Sequence, residues 1–138
     1  MKPPLPSSAM RAVLAAGAVI FASACSAGDD TTVPTLREGS VRVTTRAQNL
    51  VDVSTTEPIK LGKNVLGVSP SRPGTELVAV SALMPAHGHG TRPVVIDRTA
   101  DGYRVSELVL YMSGRWEVRL SLRESGRDDE ALLTVDVP

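Results

Sequence analysis

Residues 115–123 read Arg-Trp-Glu-Val-Arg-Leu-Ser-Leu-Arg. Trp116, Val118, Leu120 and Leu122 fall on one side of an extended chain. Arg115, Glu117, Arg119, Ser121 and Arg123 fall on the other. Side chains of a strand alternate between its two faces, so this period of two predicts a half-buried β-strand with a solvated, charged outer face. It is incompatible with an amphipathic helix, whose apolar stripe recurs every three to four residues.

The chain around it is cut into similar short pieces. Prolines at 58, 70, 73, 85 and 93, with glycines between them, leave segments of about ten residues, the spacing of a sandwich or barrel. Val41, Val43 and Thr45 alternate with Arg42, Thr44 and Arg46, and Leu133, Val135 and Val137 with Thr134 and Asp136. Residues 64–69 and 76–83 are apolar at successive positions and predict central strands covered on both faces. Residues 93–98 and 103–111 predict a hairpin turning through Asp101-Gly102. A further strand is expected near 50–56, and a solvated turn at Arg127-Asp128-Asp129-Glu130. No long helical period occurs after residue 40. The pattern predicts an all-β domain, an immunoglobulin-like antiparallel β-sandwich of seven to eight strands. Arg42 and Arg46 suit the outer face of an edge strand, where charge discourages edge-to-edge pairing. The single cysteine, Cys25, excludes the disulfide that crosses antibody domains.

The N-terminus carries a targeting pattern. Lys2 and Arg11 precede an apolar run, Ala12 to Ala22, which suits the core of a signal peptide and is too short for a comfortable membrane span. Ser23, Ala24 and Cys25 follow, and the run resembles a bacterial lipobox, in which the cysteine is lipidated and heads the mature chain. Residues 1–24 are therefore expected to be a lipoprotein-type signal peptide, 25–39 the lipidated Cys25 and a flexible tether, and 40–138 the sandwich, with an ordinary secreted chain cut near Ala24, or an uncleaved anchor, as the alternatives. Acylation accounts for a lone thiol in an exported chain. The expected location is the periplasmic side of the cell envelope, with the lipid held in a membrane, the outer one if the host is Gram-negative. Nothing after Cys25 matches an inner-membrane retention aspartate, since Ser26 stands there.

Charge narrows the function classes. Fifteen basic residues balance 15 acidic ones. Loss of Lys2 and Arg11 with the leader leaves 13 against 15, a formal charge of −2. A nucleic-acid binder would carry a basic excess or stripe, so no nucleic-acid partner is expected. With one cysteine, zinc sites built on paired CxxC motifs are excluded.

Beyond residue 24 the only aromatic side chains are Tyr103, Tyr111 and Trp116. Trp116 follows Ser113-Gly114, a corner where such sandwiches cross between sheets, and is expected to anchor the core. A tryptophan can also lie over a bound cation.

One stretch carries candidate chemistry: Met84-Pro-Ala-His87-Gly-His89-Gly90, which holds both histidines of the chain. In an extended stretch His87 and His89 project to one side. Imidazole with thioether suits a soft metal, Cu(I) above all. If strands alternate in direction, the chain leaves this end, turns at 101–102, and returns along 103–111. Met112 then joins Met84, His87 and His89 as a fourth candidate ligand. Each has another role open to it: Met84 and Met112 as core packing, the histidines as solvated loop residues. No enzyme is expected. There is no nucleophile elbow, no phosphate-cradling loop, and the acids nearest the histidines, Asp97 and Asp101, belong to the next strand and the opposite turn.

The set MPAHGHG (84–90), GYRV (102–105) and ELVLYMSGRWEVRL (107–120) resembles the YtkA-like domain family, which has kinship with the FixH-like proteins. The resemblance covers about residues 40–137. It implies a small exported or membrane-tethered β-sandwich in bacteria, found beside copper-handling and efflux components, and so periplasmic copper handling with such a partner. By position its Met, His, His and later Met fall on Met84, His87, His89 and Met112. Ala86-His87 departs from relatives that carry a second methionine or a glycine before the histidines. Two function classes follow: a lipid-anchored domain that binds or delivers Cu(I), and a metal-free interaction module serving as accessory subunit of an envelope or transport complex.

Overall fold

The structure is a computed structural model that describes residues 32–138. The expected signal peptide, Cys25 and the first part of the expected tether lie outside the described residues.

Ten strands form two five-stranded sheets. They are β1 (Thr35–Leu36), β2 (Gly39–Thr44), β3 (Leu50–Thr55), β4 (Gly62–Pro70), β5 (Glu76–Met84), β6 (His89–Gly90), β7 (Val95–Thr99), β8 (Gly102–Leu110), β9 (Gly114–Glu124) and β10 (Arg127–Val137). One sheet runs β1-β10-β9-β5-β6 and the other β2-β3-β4-β8-β7. Every pairing is antiparallel except β1 with β10. From β4 onward the partition is that of an immunoglobulin sandwich. β4, β8 and β7 stand in the positions of B, E and D, and β5, β9 and β10 in those of C, F and G.

β9 sits inside its sheet, between β10 and β5. Trp116, Val118, Leu120 and Leu122 have at most 1% of their surface exposed, as their alternation predicted. Each such side chain, taken from water to the core, contributes about 1.5–3 kcal/mol. They meet Val105, Leu108, Leu110, Leu66 and Val68 of the opposite sheet in one core. The outer face of β9 carries ion pairs to β10: Arg115 with Asp136, Arg119 with Glu130, and Arg123 with Asp128.

Four expectations change. First, 76–83 is not covered on both faces. Leu77, Val80, Ala82 and Met84 are buried, whereas Val78 and Leu83 are 48% and 43% exposed. The register slips between Leu77 and Ala79, so a bulge breaks the period of two, and among the described residues no layer covers the outer face of this sheet. The strand over 64–69 likewise leaves Val65 38% exposed. Second, Arg127–Glu130 is not a turn. The turn is Ser125-Gly126, both at positive φ, and 127–130 already pair with 121–124, where Asp128 and Glu130 find arginine partners on β9. Third, the 95–110 hairpin turns through Ala100-Asp101, with Thr99 paired to Gly102. Fourth, the sandwich begins before residue 40. Thr35 and Leu36 pair with Thr134 and Val135, and Leu36 is 1% exposed. The Thr35 and Thr134 hydroxyls bond at 2.7 Å, and the Thr134 amide donates to Pro34 O. An apolar side chain buried in the core cannot belong to a free tether.

Candidate functional site

β5 delivers Met84 to one end of the sandwich, where the chain reverses through Pro85–Gly88 and pairs back as β6. The amides of His87 and Gly88 both donate to Met84 O, at 3.2 and 2.9 Å, closing the turn. Gly88 has φ of 65°, a left-handed conformation that costs a side-chain-bearing residue about 1–2 kcal/mol. Thr91 staples the hairpin. Its amide donates to Ala82 O at 2.9 Å, and its hydroxyl accepts from the Ala82 amide at 3.2 Å.

The stretch is therefore a tight turn and not an extended run, yet it still brings the two histidines together. Their ring centroids lie 6.3 Å apart with planes 24° from parallel, and both residues are exposed. His89 is the direct cross-strand partner of Met84. Directly paired side chains share one face of a sheet, so the thioether stands on the His89 side of the hairpin. Met84 itself is 2% exposed and belongs to the core.

The return of the chain along β8 brings Tyr111, Met112 and Ser113 to the same end, as the alternation of strands predicted. Tyr111 meets His89 edge-on at 6.1 Å and Trp116 edge-on at 5.3 Å. Its hydroxyl donates to Gly90 O at 3.4 Å. Met112 is half-buried against the core, and its carbonyl accepts from the Trp116 indole N–H at 3.0 Å. Gly114, at φ of 123°, leaves the space that Met84 fills, since a Cβ there would stand 3.3 Å from Met84 Cε. Trp116 is fully buried and ties the floor of this end together. Tyr111 packs against its ring, at 78° between the planes.

The donors at this end are thus two exposed imidazoles, with methionine sulfur packed in the layer beneath. Among the described residues no three of His, Cys, Asp and Glu gather at metal-ligand spacing. With metal–nitrogen bonds of about 2 Å, two imidazoles sharing one ion hold their centroids about 5–6 Å apart, and the 6.3 Å between His87 and His89 lies at the far, near-linear end of that range. Asp101 turns at the other end of the β7–β8 hairpin, away from this group. The surface also carries a groove of about 390 Å³ over the outer face of the opposite sheet, lined by Ser54, Lys60, Lys63 and Arg104, which includes none of these residues.

Tyr111 is the member of the cluster that reading for metal ligands passes over. Its signal in the sequence is its place, directly before Met112 at a strand end shared with the histidines.

No family model matches the chain, and no curated protein or solved structure matches it.

Proposed function

We propose that this is an exported domain, anchored to a membrane through lipid on Cys25, that binds Cu(I) at its histidine end and passes it to a copper-handling or efflux partner on the periplasmic side of the envelope. The observation that carries the reading is the convergence of His87 and His89, 6.3 Å apart, over the buried end of β5. Imidazole with thioether is a donor set that favours Cu(I) over harder ions. A shallow, exposed site with few ligands releases its ion by ligand exchange to a partner with similar donors. The resemblance to YtkA-like domains supports the same role.

The test is an anaerobic titration of the purified, exported protein with Cu(I) against a chromophoric chelator. One ion per chain is expected, with binding lost when His87 and His89 are both replaced by alanine. Unchanged competition by that double variant overturns the proposal. Cys25→Ser is expected to move the protein from the membrane fraction to the soluble one.

A second reading has an observation of its own. Leu83 and Tyr111 are 43% and 45% exposed and flank the histidines, an apolar rim that suits a protein contact. On this reading the domain is a metal-free accessory subunit. A partner that co-purifies from solubilised membranes, and stays bound under chelation, would favour it.

A further inference from the structure

We infer that Tyr111 is a positioning and selectivity residue of the histidine site: its ring braces His89 and walls one side of the imidazole pair from water, favouring Cu(I) over divalent ions. The inference rests on the copper reading above and deepens it.

Tyr111 is held from three directions. Its ring packs edge-on against Trp116 at 5.3 Å and against His89 at 6.1 Å, and its hydroxyl bonds the carbonyl of Gly90, the residue after His89. Trp116 in turn has no exposed surface and is bonded to Met112 O. His89 is thereby linked to the rigid core through two aromatic contacts. Among the described residues, the one ring that His87 meets is that of His89, and it rides on the Pro85–Gly88 turn. One imidazole is set in place, and the other is free to adjust to an ion.

The selectivity argument follows from coordination. Divalent zinc and copper complete four or more positions, drawing on water where the protein offers too few donors. Cu(I) is content with fewer, softer donors. A hydrocarbon ring on one flank offers no ligand and leaves less room for water. The phenol oxygen is already engaged with Gly90 O. Removing the ring should cost Cu(I) affinity by loosening His89 while opening a water position that a divalent ion can use.

The experiment compares the exported full chain with Tyr111→Ala and Tyr111→Phe. Cu(I) affinity is measured by chelator competition and Zn(II) affinity by an indicator dye, and Trp116 emission is followed in the same titrations. Tyr111→Ala should bind Cu(I) at least about tenfold more weakly, as supporting residues around a ligand commonly do, with Zn(II) affinity held or raised, so that the ratio falls. Tyr111→Phe keeps the ring and should keep the ratio. Cu(I) should also change the emission of Trp116, the only tryptophan, in wild type, saturating at one ion per chain. This readout holds even if Tyr111→Ala does not fold. An unchanged Cu(I)-to-Zn(II) ratio in Tyr111→Ala, or Cu(I) binding that leaves Trp116 emission untouched, overturns the inference and leaves the copper site standing. A wild type that binds no Cu(I) overturns the copper reading and this inference with it.

Discussion

Trp116 donates its indole N–H to Met112 O at 3.0 Å and has no exposed surface. Trp116→Phe keeps an aromatic ring but leaves that carbonyl without its donor and a gap where the second ring stood. The lost bond to this part-buried carbonyl and the gap together should appear in urea unfolding as a loss of about 1–3 kcal/mol. Asn64 makes a similar case on the other sheet. It is 5% exposed, its side chain accepts from the Lys60 amide at 3.0 Å, and it donates to the carbonyls of Lys60 and Gly62. Asn64→Ala frees three backbone groups of the loop before β4 and should lower stability by about 1–3 kcal/mol in the same measurement. The parity of Trp116 was legible, since it lies on the buried face of an alternating strand; that of Asn64 was not, since 64–69 read as covered on both faces. The partners were not, because a hydrogen bond to a loop carbonyl leaves no mark in the pattern of residue types.

At the scale of elements, the bulges explain what a strict period of two misreads. On β8 the buried positions run Tyr103, Val105, Leu108, Leu110, a step of three in the middle. There Ser106 and Glu107 stand against the single residue Val65, and Glu107 takes φ of 61° while its carboxylate pairs with Lys63. The same step of three on β5, Leu77 to Val80, made 76–83 look apolar on both faces. The crossing from β8 to β9 depends on Gly114, whose φ of 123° is adverse for any side chain and whose Cα faces Met84 Cε. Gly114→Ala should therefore destabilise the fold and loosen the histidine end together. A lowered melting temperature with a shifted Trp116 emission maximum would show it. An unchanged emission would mean that this corner tolerates a methyl group without moving the aromatic column.

The whole molecule is closed at the end away from the histidines by polar ties. Asn49 Nδ2 donates to Glu124 at 3.0 Å and to Asp129 at 3.4 Å, and Asp129 Oδ1 accepts from the amides of Ala47 and Glu130. Burial pushes the Asp129 carboxyl upward, but hydrogen bonds from Thr45, Ala47, Glu130 and Asn49 outweigh it and hold its pKa below the usual aspartate value. Arg42 lowers Asp52, and Arg115, helped by Arg37, lowers Asp136. For acids depressed in the folded state, the stabilisation is present above their unfolded pKa and is lost as pH falls through the folded one. Stability should thus decline from about pH 5 downward. Asp129→Asn should be less stable than wild type at neutral pH and lose less on acidification, as melting temperatures at neutral and acid pH would reveal. The β1 contact is testable at this scale too. Leu36 is 1% exposed, and Leu36→Ala should cost about 2–5 kcal/mol, whereas a residue in a free tether would cost nothing.

The sequence by itself determined the class of fold, through the alternation in 115–123 and the prolines and glycines that keep each segment short. Backbone geometry imposes that period wherever one face is buried. It also determined that both histidines lie within one short stretch and that Met112 returns to the same end, because antiparallel connections alternate direction. Tertiary structure alone decided the rest. Leu36 joined the core through a partner 99 residues away in the chain. Residues 127–130 joined the ladder, where Asp128 and Glu130 meet Arg123 and Arg119 of β9. Met84 was buried beneath the histidines while Tyr111 came to rest against His89. These outcomes depend on contacts between distant segments, and such contacts are energies of the packed molecule that no local pattern of residues carries.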